Sequence, residues 1–171
     1  MQNPAEDVRE VVTLVTAAPS PDVQKIAVLR YYAANASFRH PLCAVPSGPH
    51  SRDHIFGILQ WYRIMSPNIK ISVNNVTYNE ARQELYVDCT QEFRIRWSPL
   101  RVAPARLLVH LKLRPSDDDP SLFVIAEHED FYHPEDLVAL IVPPLMPVVR
   151  LLHRFGTFAS NVNAAIEATL W

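Results

Sequence analysis

Glycine is nearly missing from this chain: 3 Gly stand beside 15 Pro in 171 residues, where average usage gives about 12 and about 9. Gly48, Gly57 and Gly156 are scattered singly, so no glycine-rich loop can bring backbone close to a phosphate, which disfavours mononucleotide and dinucleotide folds. Cysteine is equally scarce. Cys43 and Cys89 are too few and too far apart for a zinc site or a disulfide framework, and they read as two buried thiols. No basic surplus exists either: a net charge of -2 and a pI near 6.4 leave no electrostatic footprint for nucleic acid. Met1 to Asp7 carry no basic n-region leading into an apolar run, so a cytoplasmic chain without a secretory leader is expected. The longest uncharged stretch, Leu137 to Val149, is thirteen residues and holds Pro143, Pro144 and Pro147, short of the roughly 20 apolar residues that span a bilayer.

What is present describes one globular domain. Hydrophobic residues make up 49% and charged residues 20%, and a chain of this length removes roughly 70% of its unfolded surface from water without needing a staple. Asn3, Pro4 and Glu6 announce a first helix carrying Val8, Val11, Val12 and Val15; Ser20 and Pro21 announce a second, with Val23, Ile26, Ala27 and Arg30 along one side. A third runs from Ser51, with Ile55, Ile58, Leu59 and Tyr62 in a stripe, to the Ser66-Pro67 stop. From Ile69 onward the period becomes two. Leu85, Val87, Cys89, Phe93, Ile95 and Trp97 predict one face of a long strand, and Ala105 to Leu113 and Leu122 to Tyr132 predict two more. Helices followed by an antiparallel meander argue α+β, with three N-terminal helices packed on one face of a curved sheet. The expected division is a domain over residues 1–142 and an apolar helical tail over 143–171, packed on the domain, on a partner subunit or on a membrane surface.

Candidate chemistry sits on the last strand. At strand spacing Val124, Ala126, His128, Asp130 and Tyr132 share a face, with about 7 Å between alternate side chains. Turned inward, His128 or Asp130 is placed to act as general base alpha to a carbonyl, and Tyr132 or Tyr32 to hold the oxyanion. The opposite orientation would bury Ile125, Glu127, Glu129 and Phe131 instead. Gln91 is the polar interruption in an apolar strand face; Phe93 flanks it, and Trp61, Tyr62 and Met65 end the third helix where they could roof a pocket. His110, among Arg106 and Lys112, is expected to face solvent. His128-Glu129-Asp130 has the His-x-carboxylate form of iron sites but lacks a suitable distal ligand, so no metal and no cofactor is expected.

Tyr31-Tyr32-Ala33-Ala34-Asn35-Ala36-Ser37-Phe38-Arg39-His40-Pro41-Leu42 resembles the helix-to-strand junction of the nuclear-transport-factor-2-like (NTF2-like) superfamily. Ile125-Ala126-Glu127-His128, with Asp136-Leu137 downstream, is similar to the closing strand of its SnoaL-like polyketide cyclases, and Glu129-Asp130-Phe131-Tyr132 to that of its fungal SigF-like group. The likeness covers Pro21 to Val142. It implies a cone-shaped sheet around an apolar pocket, with Phe38 and His40 near its mouth. It also implies a cofactor-free isomerase, cyclase or dehydratase acting on a lipophilic polyketide- or terpenoid-like carbonyl compound, and a homodimer. The alternative is a non-catalytic lipid- or sterol-binding protein or dimerisation module, with peripheral membrane contact through 137–155.

Overall fold

The computed structural model describes residues 1–99 and 104–168. Helices α1 (Pro4–Ala17) and α2 (Pro21–Tyr31) lead into strand β1 (Tyr32–His40), the short β2 (Cys43–Val45) and α3 (Ser51–Met65). Strands β3 (Lys70–Asn79), β4 (Glu84–Glu92), β5 (Ala105–Pro115) and β6 (Phe123–Tyr132) follow, then α4 (Pro134–Ile141), a 3-10 turn (Pro143–Leu145) and α5 (Met146–Ala168). The six strands form one sheet in the order β2-β1-β6-β5-β4-β3. Every neighbouring pair is antiparallel except β1 and β6, which run parallel. This pair joins the N-terminal and C-terminal parts of the fold, and sequence period alone could not reveal it.

The helix starts obey local chemistry with one exchange of roles. Ser20 Oγ accepts from the Val23 amide, as a cap should. Asn3 makes no side-chain cap; Asp7 reaches back instead and accepts from the amides of Gln2 and Asn3 at 2.8 and 3.1 Å. The buried face of α2 also differs from its expected one: Gln24, Ala27, Val28 and Tyr31 are inside, while Ile26 is exposed. Gln24 turns this face inward. Its Nε2 donates to the carbonyls of Val15 on α1 and Leu59 on α3 at 2.7 and 3.3 Å, tying the three helices together.

The core lies between these helices and the concave face of the sheet. Val8, Val11 and Val15 of α1 and Ile55 of α3 meet Leu85, Val87, Val109 and Leu111, all essentially solvent-free. Truncating one such Leu or Ile to Ala costs about 2–5 kcal/mol. The expected strand through Trp97 ends at Glu92. Beyond it the amides of Arg94 and Arg96 donate to Ser66 Oγ and the Met65 carbonyl at the end of α3, which draws the chain off the β5 edge. Phe93 stays buried, but Trp97 is left exposed. A turn is also expected from Pro99 and Pro104, and residues 100–103 between them lie outside the described residues. On the outer face, His110 is covered rather than solvated: its register partner Tyr86 stacks on it with ring centres 4.5 Å apart.

Candidate active site

A bulge decides which side chains of β6 point inward. Lys112 pairs with Glu127 and Leu113 with Ile125, leaving Ala126 as the extra residue. The inward set is therefore Ile125 before the bulge and His128, Asp130 and Tyr132 after it, rather than one unbroken row from Val124. Both Val124 and Ile125 are buried. Opposite, β1 bulges between Tyr32 and Ser37, so that Tyr32 lies behind His128.

His128, Asp130 and Tyr132 line a cavity of about 110 Å3. The Tyr32 hydroxyl lies 2.6 Å from His128 Nδ1, and His128 Nε2 lies 2.9 Å from Asp130 Oδ1. A carboxylate only accepts, so Nε2 carries the imidazole proton and donates it to Asp130, while Nδ1 accepts from Tyr32. Burial, reinforced by the nearby Asp130, holds the Tyr32 phenol well above its ordinary range, which keeps it a donor. Asp130 Oδ2 has no hydrogen-bond partner among the described residues. The chain Tyr32-His128-Asp130 thus fixes one carboxylate oxygen and leaves the other uncommitted at the cavity wall.

His40, Tyr62, Trp61, Met65, Gln91 and Phe93 line the same cavity. His40 Nδ1 accepts from the Leu42 amide at 3.2 Å and lies 3.2 Å from the Tyr62 hydroxyl. Burial lowers the His40 pKa below its ordinary value, so at neutral pH this ring is neutral with its proton on Nε2. The Tyr132 hydroxyl donates to Gln91 Oε1 at 2.6 Å, which gives the polar interruption of β4 a partner. Burial first, then Asp130, raises the Tyr132 phenol, and it too remains a donor. Burial likewise raises Tyr62, whose hydroxyl sits 3.4 Å from Cys43 Sγ.

Two residues expected at the pocket are not part of its lining. Tyr32 is fully buried behind His128, and Phe38 packs edge-on against the His128 ring, with centres 4.9 Å apart. Both support the imidazole from behind. Conversely, Leu137, Leu140 and Ile141 of α4 line the cavity; they lie in the uncharged stretch that sequence period could not place. Thr16, Leu59 and Leu107 add to it from α1, α3 and β5, and Leu42 and Ile95 complete it. Of the two thiols, only Cys89 is buried, and burial followed by Asp130 pushes it up to about 12, which removes it as a nucleophile at neutral pH. Cys43 is half-buried and also free. Among the described residues no group of three or more His, Cys, Asp or Glu side chains is placed to hold a metal ion.

The fold is similar to those of solved structures of low sequence identity. A protein from Catenulispora acidiphila with a ketosteroid isomerase-like fold, in complex with trimethylamine, is 16% identical over 77% of this chain and 91% of its own, at a TM-score of 0.57. A candidate SnoaL-like polyketide cyclase from Jannaschia sp. CCS1 is 14% identical over 83% and 97%, at 0.58. A candidate isomerase of the SnoaL-like family from Agrobacterium tumefaciens is 12% identical over 72% and 95%, at 0.53. At these identities the likeness establishes the fold. Comparison with curated proteins finds no match. Residues 1–170 match the SigF NTF2-like domain, so α1 and the C-terminal tail, which the sequence resemblance left outside, are included in the match. The chain belongs to the SigF NTF2-like domain family.

Proposed function

We propose that the chain is an acid/base enzyme that shifts a proton on a lipophilic carbonyl compound, in the manner of an isomerase, cyclase or dehydratase. The observation that carries this reading is Asp130, held through one oxygen by the His128-Tyr32 chain with its other oxygen unpartnered at a mainly apolar cavity. In this reading Asp130 Oδ2 takes the proton alpha to the carbonyl. His128 keeps Oδ1 hydrogen-bonded throughout, so the carboxylate does not rotate away. Charge that develops on the carbonyl oxygen meets a neutral donor, the His40 Nε2–H, while the Tyr132 hydroxyl, whose one proton goes to Gln91 Oε1, forms the wall beside it, and Asp130 returns the proton at a second carbon. For an isomerase, proton out and proton back balance without an oxidant or a second substrate; in a dehydratase the same proton would leave with the hydroxide as water, and in a cyclase it would go to the oxygen of the second carbonyl that the enolate carbon attacks. Support comes also from relatives named as candidate cyclases and isomerases and from the trimethylamine bound to another.

Substrate size sets a condition. A cavity of about 110 Å3 falls below the roughly 300–1,000 Å3 of sites for drug-sized ligands. A small ring fits this volume, whereas a polycyclic polyketide or terpenoid needs more room than it holds. Homodimerisation belongs to the same proposal: Leu108 and Phe131, register partners on β5 and β6, are exposed side by side on the outer sheet face. The test is native mass spectrometry to identify a co-purifying small molecule, followed by assays of Asp130→Asn and His128→Ala on it. Loss of turnover in both supports the assignment. Unchanged turnover in both, or stoichiometric release of the molecule chemically unaltered by any variant or by wild type, overturns it in favour of a binding protein.

A further inference from the structure

The largest unexplained feature of the surface is α5. From Arg150 to its last described residue every side chain is exposed, and its packing partners are α4 and the 3-10 turn. Yet the helix is not polar. Val148, Leu151, Phe155, Phe158 and Val162 recur at spacings of three and four, with Leu152 and Ile166 beside them, and Phe155 and Phe158 are each 65% exposed. At about 100° per residue they form one continuous apolar stripe along the helix. A monomeric domain rarely leaves so many large apolar side chains in one patch uncovered.

The composition around the stripe selects its partner. Arg150 and Arg154 lie on one flank and have no carboxylate partner among the described residues; His153 pairs instead with Glu135 of α4 at 2.8 Å. The rest of the polar side is Thr157, Ser160, Asn161 and Asn163, with Glu167 the one acid of the helix. A second copy of α5 would find no opposite charges bordering the stripe, which is how paired helices choose each other. A phosphate-bearing surface satisfies both arginines while the phenylalanines enter the acyl boundary. No described helix is long and apolar enough to cross a membrane, so a bilayer contact of α5 is one along the surface rather than across it. This also moves the expected membrane segment: Leu137, Leu140 and Ile141 are spent on the cavity, and the insertable face begins after the 3-10 turn.

We propose that α5 binds the chain to the surface of an anionic lipid bilayer, with Phe155 and Phe158 inserted and Arg150 and Arg154 at the headgroups. The full chain is sedimented with vesicles of phosphatidylcholine alone and of phosphatidylcholine with phosphatidylglycerol, beside Phe155→Asp/Phe158→Asp and Arg150→Gln/Arg154→Gln. Because all four side chains are exposed, circular dichroism and an unchanged melting temperature verify that the variants fold. The expected result is binding to the anionic vesicles, lowered by about tenfold or more in the phenylalanine variant and lowered with loss of salt dependence in the arginine variant. Absence of binding, equal binding by wild type and the phenylalanine variant, or a wild-type dimer that the phenylalanine variant alone dissociates without vesicle binding overturns the proposal.

Discussion

His128 Nε2 and Asp130 Oδ1 lie 2.9 Å apart although the two residues are only two positions apart on one strand. Adjacent inward side chains on a strand stand about 7 Å apart at their bases, so both must lean toward each other. Tyr32, contributed from the start of β1, holds the imidazole in that lean from the other side at 2.6 Å.

Removing that support has a defined cost. Tyr32→Phe keeps the buried ring but leaves His128 Nδ1 an unsatisfied acceptor in the core. The loss in unfolding free energy should be about 1–3 kcal/mol, read from urea denaturation. A variant as stable as wild type would show that the hydroxyl contributes nothing there.

His40 makes stability depend on pH in a known direction. Its folded-state pKa is depressed by burial below the ordinary 6.5, so as pH falls through 6.5 the unfolded chain takes up a proton before the folded one does. Stability therefore declines from pH 6.5 down to the lowered folded value, and above 6.5 this group contributes no slope. Chemical denaturation at pH 7.5 and pH 5.5 (about one unit either side of that value) should show a smaller pH-dependent loss in His40→Gln than in wild type. Equal losses would contradict the assignment.

Gln24 was invisible as a structural residue because its partners, Val15 and Leu59, come from two other helices. Its replacement by the similarly sized Met keeps the volume and deletes both bonds to the carbonyls. A destabilisation of about 1–3 kcal/mol is expected, with Gln24→Ala worse because it adds a cavity. Thermal denaturation of the two variants distinguishes these contributions.

Gly57 sits inside α3, and a Cβ built there meets nothing within 4 Å. Gly57→Ala should therefore stabilise the domain by about 0.5–1 kcal/mol, seen as a higher melting temperature. A lower one would mean that α3 needs the freedom of glycine.

Much of the fold was legible locally, because caps, prolines and apolar periods are local signals. Pro4, Ser20, Pro21 and Pro67 mark helix ends where they stand. What escaped depends on neighbours far away in sequence: the parallel β1-β6 pair, the bulge at Ala126, and the departure of residues 93–97 toward α3. The candidate site was read in the same uneven way. His128, Asp130 and Tyr132 could be grouped by strand period, but the period could not choose between the two faces, and its choice of Val124 and Ala126 as companions failed at the bulge. Tyr32 was seen as an oxyanion donor, whereas its hydroxyl is taken by His128. The lid residues of α4 carried no signal beyond being apolar, since only packing distinguishes a cavity wall from a membrane anchor.

The central claim is that Asp130 moves a proton at a carbon beside a carbonyl. A six-membered β,γ-unsaturated cyclic ketone is small enough for the cavity, and in D2O each enolisation leaves deuterium in it or converts it to the conjugated enone, both visible by NMR. Wild type should accelerate exchange and conjugation above buffer, and Asp130→Asn should lower that rate by about 100-fold or more. Acceleration of equal size in wild type and in folded Asp130→Asn would contradict the account.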